Sequence, residues 1–319
     1  MILATSMLAA LAIQADTIRE VAVMVPGPVP LEGVLTLPAA GEGLAPGVVI
    51  VHGSGGGDRN GTLGPNMPYR DLARGLAARG VAVLRYDKRA GVQPLWYMNK
   101  PFTVREETID DAASALTLLR HRAEVDADRI FVMGHSLGGY LAPLIAEADS
   151  QLAGIVMLAG AWVTPLPQVM LEQMDYILSV SPPEDSSRVV AQRRVIQHNV
   201  DRIRAMVPAD SANLTLYLGA PAAYWLDLAR YDPVAALRRR REPALILQGA
   251  RDYQVTPTML GQFLAQLGDR PETTVIRYPA LNHLFIAGSG APRPAEYATP
   301  GHVASAVIDD IADWVLQRR

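Results

Sequence analysis

The sequence predicts an α/β fold with a mostly parallel central sheet, helices on both of its faces and a helical insertion. Short, continuous apolar runs alternate with helix-like segments along most of the chain. Strands of a parallel sheet are buried on both faces, so they form continuous apolar runs. A glycine-rich turn joins one such run directly to a helix-like stretch, and one long region has no convincing strand. With 319 residues, half of them hydrophobic, the chain has room for one large core and a modest appendage.

The predicted elements follow from local patterns. Apolar runs predict strands at residues 21–25, 33–37, 47–51, 81–86, 129–133, 152–158, 244–247 and 274–278. Helices are predicted at residues 69–79 and 106–122, from the glycine-rich turn through Ala146, and near the C-terminus, where apolar residues from Val303 to Val315 recur at helical spacing. Acidic residues in the first turn of the 106–122 segment suit the helix dipole.

Residues 162–230 interrupt the alternation of strands and helices. This region contains only helix-like stretches, at residues 168–178, 187–206 and 222–230, separated by prolines. Because it follows the sixth predicted strand, it would lie over the carboxyl ends of the strands, where open α/β sheets bind ligands. We therefore predict a helical cap, residues 162–230, on a core formed by residues 16–161 and 231–319. The alternative is a helical subdomain without a role in binding.

Three aromatic residues of the insertion are candidates for shaping a substrate pocket. They are Tyr217, Tyr224 and Trp225. If they line the pocket, substitutions there should change the preference for one substrate over another more than stability.

The first 15 residues are apolar and uncharged, and they end in a small residue, Ala15. They resemble the hydrophobic region and cleavage end of a secretory signal, although the positively charged start of such a signal is missing. We predict export to the periplasm or beyond, with a cytoplasmic protein as the alternative. No apolar stretch reaches the roughly 20 residues of a membrane span, so stable membrane insertion is not expected.

Charge and cysteine content exclude several classes of protein. The chain has 29 basic and 32 acidic residues and a net charge of −3, which gives no reason to expect nucleic-acid binding. Four consecutive arginines at 238–241 are interpreted as a solvated helix end. The absence of cysteine excludes disulfides, thiol catalysis and cysteine-ligated metals. No cofactor is expected.

Residues 134–139 read G-H-S-L-G-G and follow the predicted strand at 129–133. A G-x-S-x-G motif between a strand and a helix predicts a nucleophile elbow, a turn so tight that only small residues fit around the serine. Such a turn exposes the hydroxyl above the sheet and directs helix N-terminal amides at an oxyanion formed there. Ser136 is therefore the predicted nucleophile of a serine hydrolase.

A serine hydroxyl needs a base, which in this architecture follows it in the chain. The histidines downstream of Ser136 are His198, His283 and His302. His198 lies in a basic helical stretch of the insertion, and His302 precedes the C-terminal helix. His283 comes just after the last predicted strand, where the edge of the sheet would present it beside Ser136. We therefore predict His283 as the base.

The acid that orients the histidine should follow another strand. Asp252 ends a short loop after the strand at 244–247. Asp269 follows a helix and leads into a strand, which would place it at the opposite edge. Asp227 and Asp232 belong to the end of the insertion and are weaker candidates. We predict Asp252 as the acid.

Two backbone amides are predicted to bind the oxyanion. One is the N–H of Leu137, the residue after the nucleophile. The other comes from the glycine-rich loop at residues 52–59, with Ser54 as the expected donor and Gly55 as the alternative. A phosphate-binding role for this loop is disfavoured because no Lys-Ser or Lys-Thr pair follows the glycines. His52 is interpreted as a residue that orders the loop.

Five motifs in order make the sequence similar to a known family. They are H-G-S-G-x-x-D-R at 52–59, R-Y-D-K-R at 85–89, the serine motif, L-Q-G-x-x-D-x-Q-V at 247–255 and N-H-x-F at 282–285. Together they resemble the α/β-hydrolase carboxylesterases related to dienelactone hydrolases and to the catalytic domains of acyl-peptide hydrolases. The resemblance spans roughly residues 31–314. It departs from the family at Gly56, where proline is frequent, and at Ala90, where glycine is usual.

The resemblance implies an esterase for small-molecule esters with short acyl chains, acting without a cofactor and with the insertion as its cap. The expected reaction passes through an acyl-enzyme on Ser136, with His283 moving the proton and Asp252 orienting the imidazole. A peptidase or a thioesterase could use the same groups. A noncatalytic ligand-binding protein is the alternative from a different class.

Overall fold

The computed structural model of the protein describes residues 18–39 and 43–318. The predicted signal-like segment, residues 1–15, lies outside the described residues. The strands are β1 (Ile18–Val25), β2 (Leu31–Pro38), β3 (Ala45–Val51), β4 (Ala82–Tyr86), β5 (Val125–His135), β6 (Gly154–Leu158), β7 (Ala244–Gly249) and β8 (Thr273–Tyr278). They form one sheet in the order β1-β2-β4-β3-β5-β6-β7-β8. The pairs β1–β2 and β2–β4 are antiparallel and the other neighbours are parallel, which confirms the predicted fold class.

Helices cover both faces of this sheet. They are α1 (Pro68–Ala77), α2 (Arg89–Val92), α3 (Asp110–Arg120), α4 (Leu137–Ala148), α5 (Leu166–Val180), α6 (Pro183–Arg204), α7 (Ala222–Leu228), α8 (Pro233–Arg239), α9 (Pro257–Leu267) and α10 (Ser305–Leu316). Strand β3 shows how one strand serves both layers of the core. Val49 and Val51 pack on the side of α3, α4 and α9, whereas Val48 and Ile50 pack on the side of α1 and α10.

The described structure adds the helices α2, α8 and α9 to the predicted elements and differs from the prediction at several bounds. Strand β5 begins at Val125, several residues before the apolar run that predicted it. The predicted helix at 106–122 is a π-helical turn at Arg105–Ile109 followed by α3. Such turns are frequent at functional sites, and this one contains the buried side chain of Glu107, which pairs with Lys88.

The insertion lies between β6 and β7 and forms α5, α6 and α7, close to the three predicted helical stretches. The run of four arginines begins at the end of α8, as interpreted, but most of it is bonded to protein groups. Arg238 donates to the carbonyls of Gln266 and Leu267, at the end of α9. Arg239 and Arg240 pair with glutamates. Within residues 18–39 and 43–318, no helix is long and apolar enough to cross a membrane.

Candidate active site

The turn from β5 to α4 holds Ser136 in a strained backbone conformation. Its φ of 53° and ψ of −124° lie outside the regions that non-glycine residues ordinarily occupy. The Ser136 N–H donates to the Leu158 carbonyl at 2.9 Å, which ties the turn to β6. A Cβ at Gly134 would collide with the carbonyl of Gly138, and one at Gly138 would collide with the carbonyl of Val51. The crowding explains why this turn needs glycine on both sides of the serine.

His283 and Asp252 meet at the same edge of the sheet. His283 follows β8, and its Nδ1–H donates to Asp252 Oδ2 at 2.7 Å. Both side chains are almost fully buried. The other carboxylate oxygen of Asp252 accepts the backbone N–H groups of Gln254 and Val255 at 2.8 and 3.0 Å. These bonds hold the carboxylate in one orientation and direct the imidazole with its Nε2 away from Asp252.

Ser136 and His283 line one small cavity of about 170 Å³. The glycine-rich loop at 52–57 forms one wall of this cavity, and Gln254 and Leu284 lie at its rim. No hydrogen bond among the described residues joins the Ser136 hydroxyl to the His283 ring. Such bonds are often long in a free enzyme and shorten when substrate binds.

The structure places the alternative histidines and acids away from this cavity. His198 lies exposed on α6, and His302 is exposed and bonded to Asp71. Asp269 is exposed at the end of α9. Asp232 accepts the Ala235 N–H and thereby caps α8. Burial raises the pKa of Asp227, which lines a separate surface cavity below α4 with Asp232.

The two predicted oxyanion donors belong to two segments that meet at Ser136, the start of α4 and the glycine-rich loop. Leu137 is the first residue of α4, so its N–H has no partner within the helix. Ser54 lies in the glycine-rich loop that lines the cavity. A Cβ at Gly53 would lie 3.1 Å from Ser136 Cβ. Glycine at position 53 therefore allows the loop to approach the serine closely.

A chain of hydrogen bonds that the sequence did not reveal joins the loop to His283. The Gly53 N–H donates to Tyr69 Oη at 3.3 Å, and the Tyr69 hydroxyl donates to His135 Nδ1 at 3.1 Å. His135 Nε2–H in turn donates to the His283 carbonyl at 2.9 Å. Burial lowers the pKa of His135 to about 3 and raises the pKa of Tyr69 to about 12, so both groups are neutral and this direction of donation is maintained.

His52 orders the start of the loop, as the sequence indicated. Its Nε2–H donates to the Tyr86 carbonyl at 2.5 Å, which links the loop to β4. Burial, assisted by the nearby Lys88 charge, lowers the pKa of His52 to about 4. The ring is therefore neutral near pH 7. It has a partner in the backbone and is not placed as a second base.

Two further side chains support the Asp252–His283 pair. Gln248 Nε2 donates to Asp252 Oδ2 and to the Val255 carbonyl, so it braces the acid loop. Asn282 Oδ1 accepts the N–H groups of Leu284 and Ile286 and shapes the turn after His283. Both residues stand in the motifs at 247–255 and 282–285, and these partners lie within seven residues of them. The Asn282 bond to the Leu284 N–H is a local turn that the asparagine itself could have indicated.

The candidate pocket aromatics of the insertion lie in the core. Tyr217, Tyr224 and Trp225 are buried in the layer that contains α3 and α4. Trp225 Nε1–H donates to the carbonyls of Tyr217 and Ala220. None of the three lines the cavity at Ser136. The expectation that they line the pocket at the serine is therefore wrong, because all three are buried in the core, and an effect on acyl-chain preference stays a prediction.

A separate apolar cavity of about 440 Å³ lies between the insertion and α4. Its lining includes Tyr140, Leu166, Ile203, Met206 and Trp225. Helix α5 also contacts the edge of the serine cavity: Gln173 Nε2 donates to the Gln254 carbonyl at 3.1 Å, and Tyr176 stacks on Tyr253. Among the described residues, no group of three or more acidic or histidine side chains is placed to hold a metal ion.

The strained serine turn, the sheet order and the buried Asp–His pair define the class of protein. The chain belongs to the alpha/beta hydrolase family, whose model matches residues 48–299. Among curated proteins it is similar to the esterase EstD of Thermotoga maritima, at 39% identity over 290 residues. That match covers 90% of this chain and 66% of EstD, so the chain spans slightly less than two thirds of the relative's length.

Solved structures show the same fold at low identity. Est1E of Butyrivibrio proteoclasticus, with ferulic acid bound, matches with a TM-score of 0.61 at 16% identity and covers 93% of this chain and 99% of its own. An esterase of Pyrococcus furiosus matches with a TM-score of 0.59 at 15% identity, covering 98% and 96%. A dienelactone hydrolase of Anabaena variabilis matches with a TM-score of 0.53 at 18% identity, covering 95% and 99%.

Proposed function

We propose that this protein is a serine carboxylesterase that hydrolyses small-molecule esters. The observation that carries the proposal is the buried His283–Asp252 hydrogen bond beside a cavity that also contains the strained Ser136. A bound ester carbonyl in that cavity would meet a nucleophile, a base and an orienting acid together. The 39% identity to an esterase supports ester hydrolysis over the peptidase, thioesterase and binding-protein alternatives.

In the proposed reaction, Ser136 Oγ attacks the ester carbonyl while His283 Nε2 accepts the hydroxyl proton. Asp252 keeps the Nδ1–H tautomer in place and stabilises the imidazolium that forms. The C–O bond of the ester breaks as His283 returns the proton to the departing alcohol. Water then attacks the acyl-enzyme by the same route, giving the carboxylic acid and free Ser136.

We assign the developing negative charge on the substrate oxygen to two backbone donors, the N–H groups of Ser54 and Leu137. Leu137 adds the favourable potential of the α4 N-terminus. The loop of Ser54 is held by the bonds of His52 and Gly53, and Leu137 begins α4, so both donors are in place before the oxyanion forms.

The small cavity supports a preference for short acyl chains, and the position of α5 supports a cap role for residues 162–230. The volume of about 170 Å³ leaves room for only a small acyl or alcohol group beside Ser136. Helix α5 is bonded to the Gln254 carbonyl at the rim of that cavity. Movement of the helix would therefore change access to the serine.

The test is a hydrolysis panel of p-nitrophenyl acetate, butyrate and octanoate, an acyl-coenzyme A and an aminoacyl-anilide. Wild type should prefer the short esters, and Ser136→Ala should lose activity by about 10⁴-fold or more while remaining folded. Ser289→Ala, a substitution outside the cavity, serves as the matched serine control. Preference for the anilide would indicate a peptidase. Inertness towards the whole panel, with no labelling of Ser136 by an alkylphosphonate, would overturn the proposal.

We also propose export to the periplasm or beyond, on the basis of the apolar, uncharged residues 1–15. Expression of the chain with a C-terminal tag, followed by cell fractionation and N-terminal sequencing, tests this. Recovery of the uncleaved chain in the cytoplasm would contradict it.

A further inference from the structure

A charged pair is buried beneath the glycine-rich loop, and the proposed mechanism does not use it. The Lys88 side chain is 4% exposed, and its Nζ lies 2.5 Å from Glu107 Oε1. Glu107 comes from the π-helical turn before α3, where the Thr108 hydroxyl donates to its other oxygen. Lys88 Nζ also donates to the Gly53 carbonyl at 2.7 Å. The pair therefore contacts the loop directly.

Burial of a charged pair is costly and seldom improves stability over apolar residues of similar size. The adjacent pair Arg89–Asp111 is equally buried, and Arg89 also donates to the Val29 carbonyl. Arg89 and Asp111 make no described contact with residues 52–57. The two pairs thus differ in one respect that matters for catalysis. Lys88 donates a hydrogen bond to the glycine-rich loop beside Ser136, and Arg89 does not.

The carbonyl that Lys88 holds belongs to the same peptide unit as the Ser54 N–H. The described peptide bonds include none that is cis. In a planar trans peptide the C=O and N–H point in opposite directions. Lys88 is buried and does not line the cavity, whereas Gly53 and Ser54 line it together with Ser136. A carbonyl held towards Lys88 therefore directs the Ser54 N–H towards the cavity.

We propose that Lys88, held in place by Glu107, is a positioning residue that orients and polarises the Gly53–Ser54 peptide as an oxyanion donor. This inference rests on the proposed esterase function. A cation hydrogen-bonded to a carbonyl draws electron density from the amide and strengthens its N–H as a donor. The Tyr69 hydroxyl fixes the preceding peptide by accepting the Gly53 N–H. Two consecutive peptide units of the loop are thus held by side chains, one by Tyr69 and the next by Lys88.

The test compares two double variants that each remove one buried charged pair. Lys88→Met/Glu107→Leu leaves no unpaired charge, and Arg89→Met/Asp111→Leu is the matched control. Loss of a whole oxyanion donor costs about 10²–10³ in kcat, so a misdirected and weakened donor should cost about 10- to 100-fold. We expect that loss in kcat with KM for p-nitrophenyl acetate changed by less than about threefold. The control pair should keep kcat within about threefold.

A second readout separates oxyanion binding from a general structural effect. Ser136 Oγ adds to the carbonyl of a trifluoromethyl ketone while its proton passes to His283, which leaves a hemiketal oxyanion in the same site. Its inhibition constant should rise in parallel with the loss of kcat/KM in the Lys88 pair and not in the control. Lys88→Gln/Glu107→Gln, which keeps a neutral donor for the Gly53 carbonyl, should fall between wild type and the Met/Leu variant. If the Met/Leu variant does not fold, the kcat and the inhibition constant of the Gln/Gln variant test the proposal in its place.

The inference is overturned if the folded Lys88 variants keep kcat and inhibitor affinity within twofold of wild type. It is also overturned if both charged-pair variants lose the same activity, because the effect is then one of packing. Ser136→Ala distinguishes these outcomes from failure of the proposed function. If Ser136→Ala retains activity, the esterase assignment fails first, whatever the Lys88 variants show.

Discussion

The carboxyl edge of the sheet and the insertion at 162–230 are built in different ways. At the sheet edge, the side chains of His283, Asp252, His135 and Lys88 are buried, and each makes at least one hydrogen bond to a partner distant in sequence. In the insertion, helix α6 has 22 residues, of which only Val189 and Val200 are buried. The edge is therefore held rigidly, whereas most of α6 faces solvent.

The insertion itself has two parts. Its root, residues 217–228, packs into the core through Tyr217, Tyr224 and Trp225. Its arm, α5 and α6, joins the core at Leu166 and Val169 and makes further contacts through the Tyr176 stack on Tyr253 and the Tyr176 hydroxyl bond to the Pro292 carbonyl. Catalysis needs preorganised groups, and substrate access needs movable ones. Under the proposed cap role, the arm provides access and the root belongs to the fold.

The largest expected effect tests the sheet edge. Asp252→Asn should lower kcat by about 10⁴-fold with little change in stability, because the amide no longer selects the productive histidine tautomer. Asp269→Asn is the matched control, since Asp269 is exposed at the end of α9. Steady-state kinetics on p-nitrophenyl acetate measure both. Near-normal activity of Asp252→Asn together with loss in Asp269→Asn would reverse the acid assignment.

Truncation of a side chain in the root of the insertion should lower the free energy of unfolding as much as truncation in a hydrophobic core. Trp225 is 4% exposed, so Trp225→Ala should lower the free energy of unfolding by about 3–5 kcal/mol. Val195→Ala, on the exposed face of α6, should change it by less than about 0.5 kcal/mol. Urea denaturation measures both. A stable Trp225→Ala variant with an altered chain-length profile would move Trp225 from the root to the pocket.

Two substitutions of Ser54 distinguish a role of its backbone N–H from a role of its side chain. Ser54→Pro removes the N–H and should lower kcat by about 10²–10³. Ser54→Ala keeps the N–H and should lose little. Melting temperature and phosphonate labelling of Ser136 show whether the loop is intact. A folded Ser54→Pro variant with near-normal kcat would shift the donor to Gly55.

Acid should lower the free energy of unfolding through two buried histidines at the sheet edge. The folded-state pKa values of His52 and His135, about 4 and about 3, lie below the usual value of 6.5. Below pH 6.5 the unfolded chain binds protons that the folded chain does not, so stability is complete above that pH and falls as pH decreases. Each histidine should cost about 2 kcal/mol between pH 7 and pH 5.

Urea unfolding at the two pH values measures this loss. His135→Gln should reduce the pH dependence by about 2 kcal/mol, because glutamine does not titrate there. His198→Gln, on exposed α6, is the control and should leave the dependence unchanged. An unchanged dependence in His135→Gln would show that this histidine is not held neutral.

The smallest expected effect concerns the arm. Tyr176→Ala removes the stack on Tyr253 and the bond to Pro292, which loosens α5 beside the rim residue Gln254. The ratio of kcat/KM values for octanoate and acetate esters should rise by about tenfold, the effect of roughly one methylene of discrimination. Thr117→Ala, on α3, is a control distant from the rim. If this kcat/KM ratio is unchanged and the free energy of unfolding falls strongly, α5 is part of the core, as residues 217–228 are.

The positions of the site groups could be predicted because strand ends mark them. Ser136, Asp252 and His283 each follow an apolar run, and the ends of parallel strands meet at one edge. The hydrogen bonds around these groups, apart from the Asp252–His283 pair, could not be predicted in the same way. Nothing near Tyr69 in the sequence indicates a bond to His135, 66 residues away, and His135 is separated from His283 by 148 residues.

The sequence by itself determined the alternation of elements, the glycine turn around Ser136 and the strand-end positions of Asp252 and His283. These features depend on local sterics and periodicity, which act between neighbours in the chain. Only the tertiary structure decided that Lys88 reaches the Gly53 carbonyl, that two histidines are kept neutral, and that Tyr224 and Trp225 belong to the core. Burial and hydrogen-bond partners depend on which distant segments pack together, and local patterns do not encode that choice.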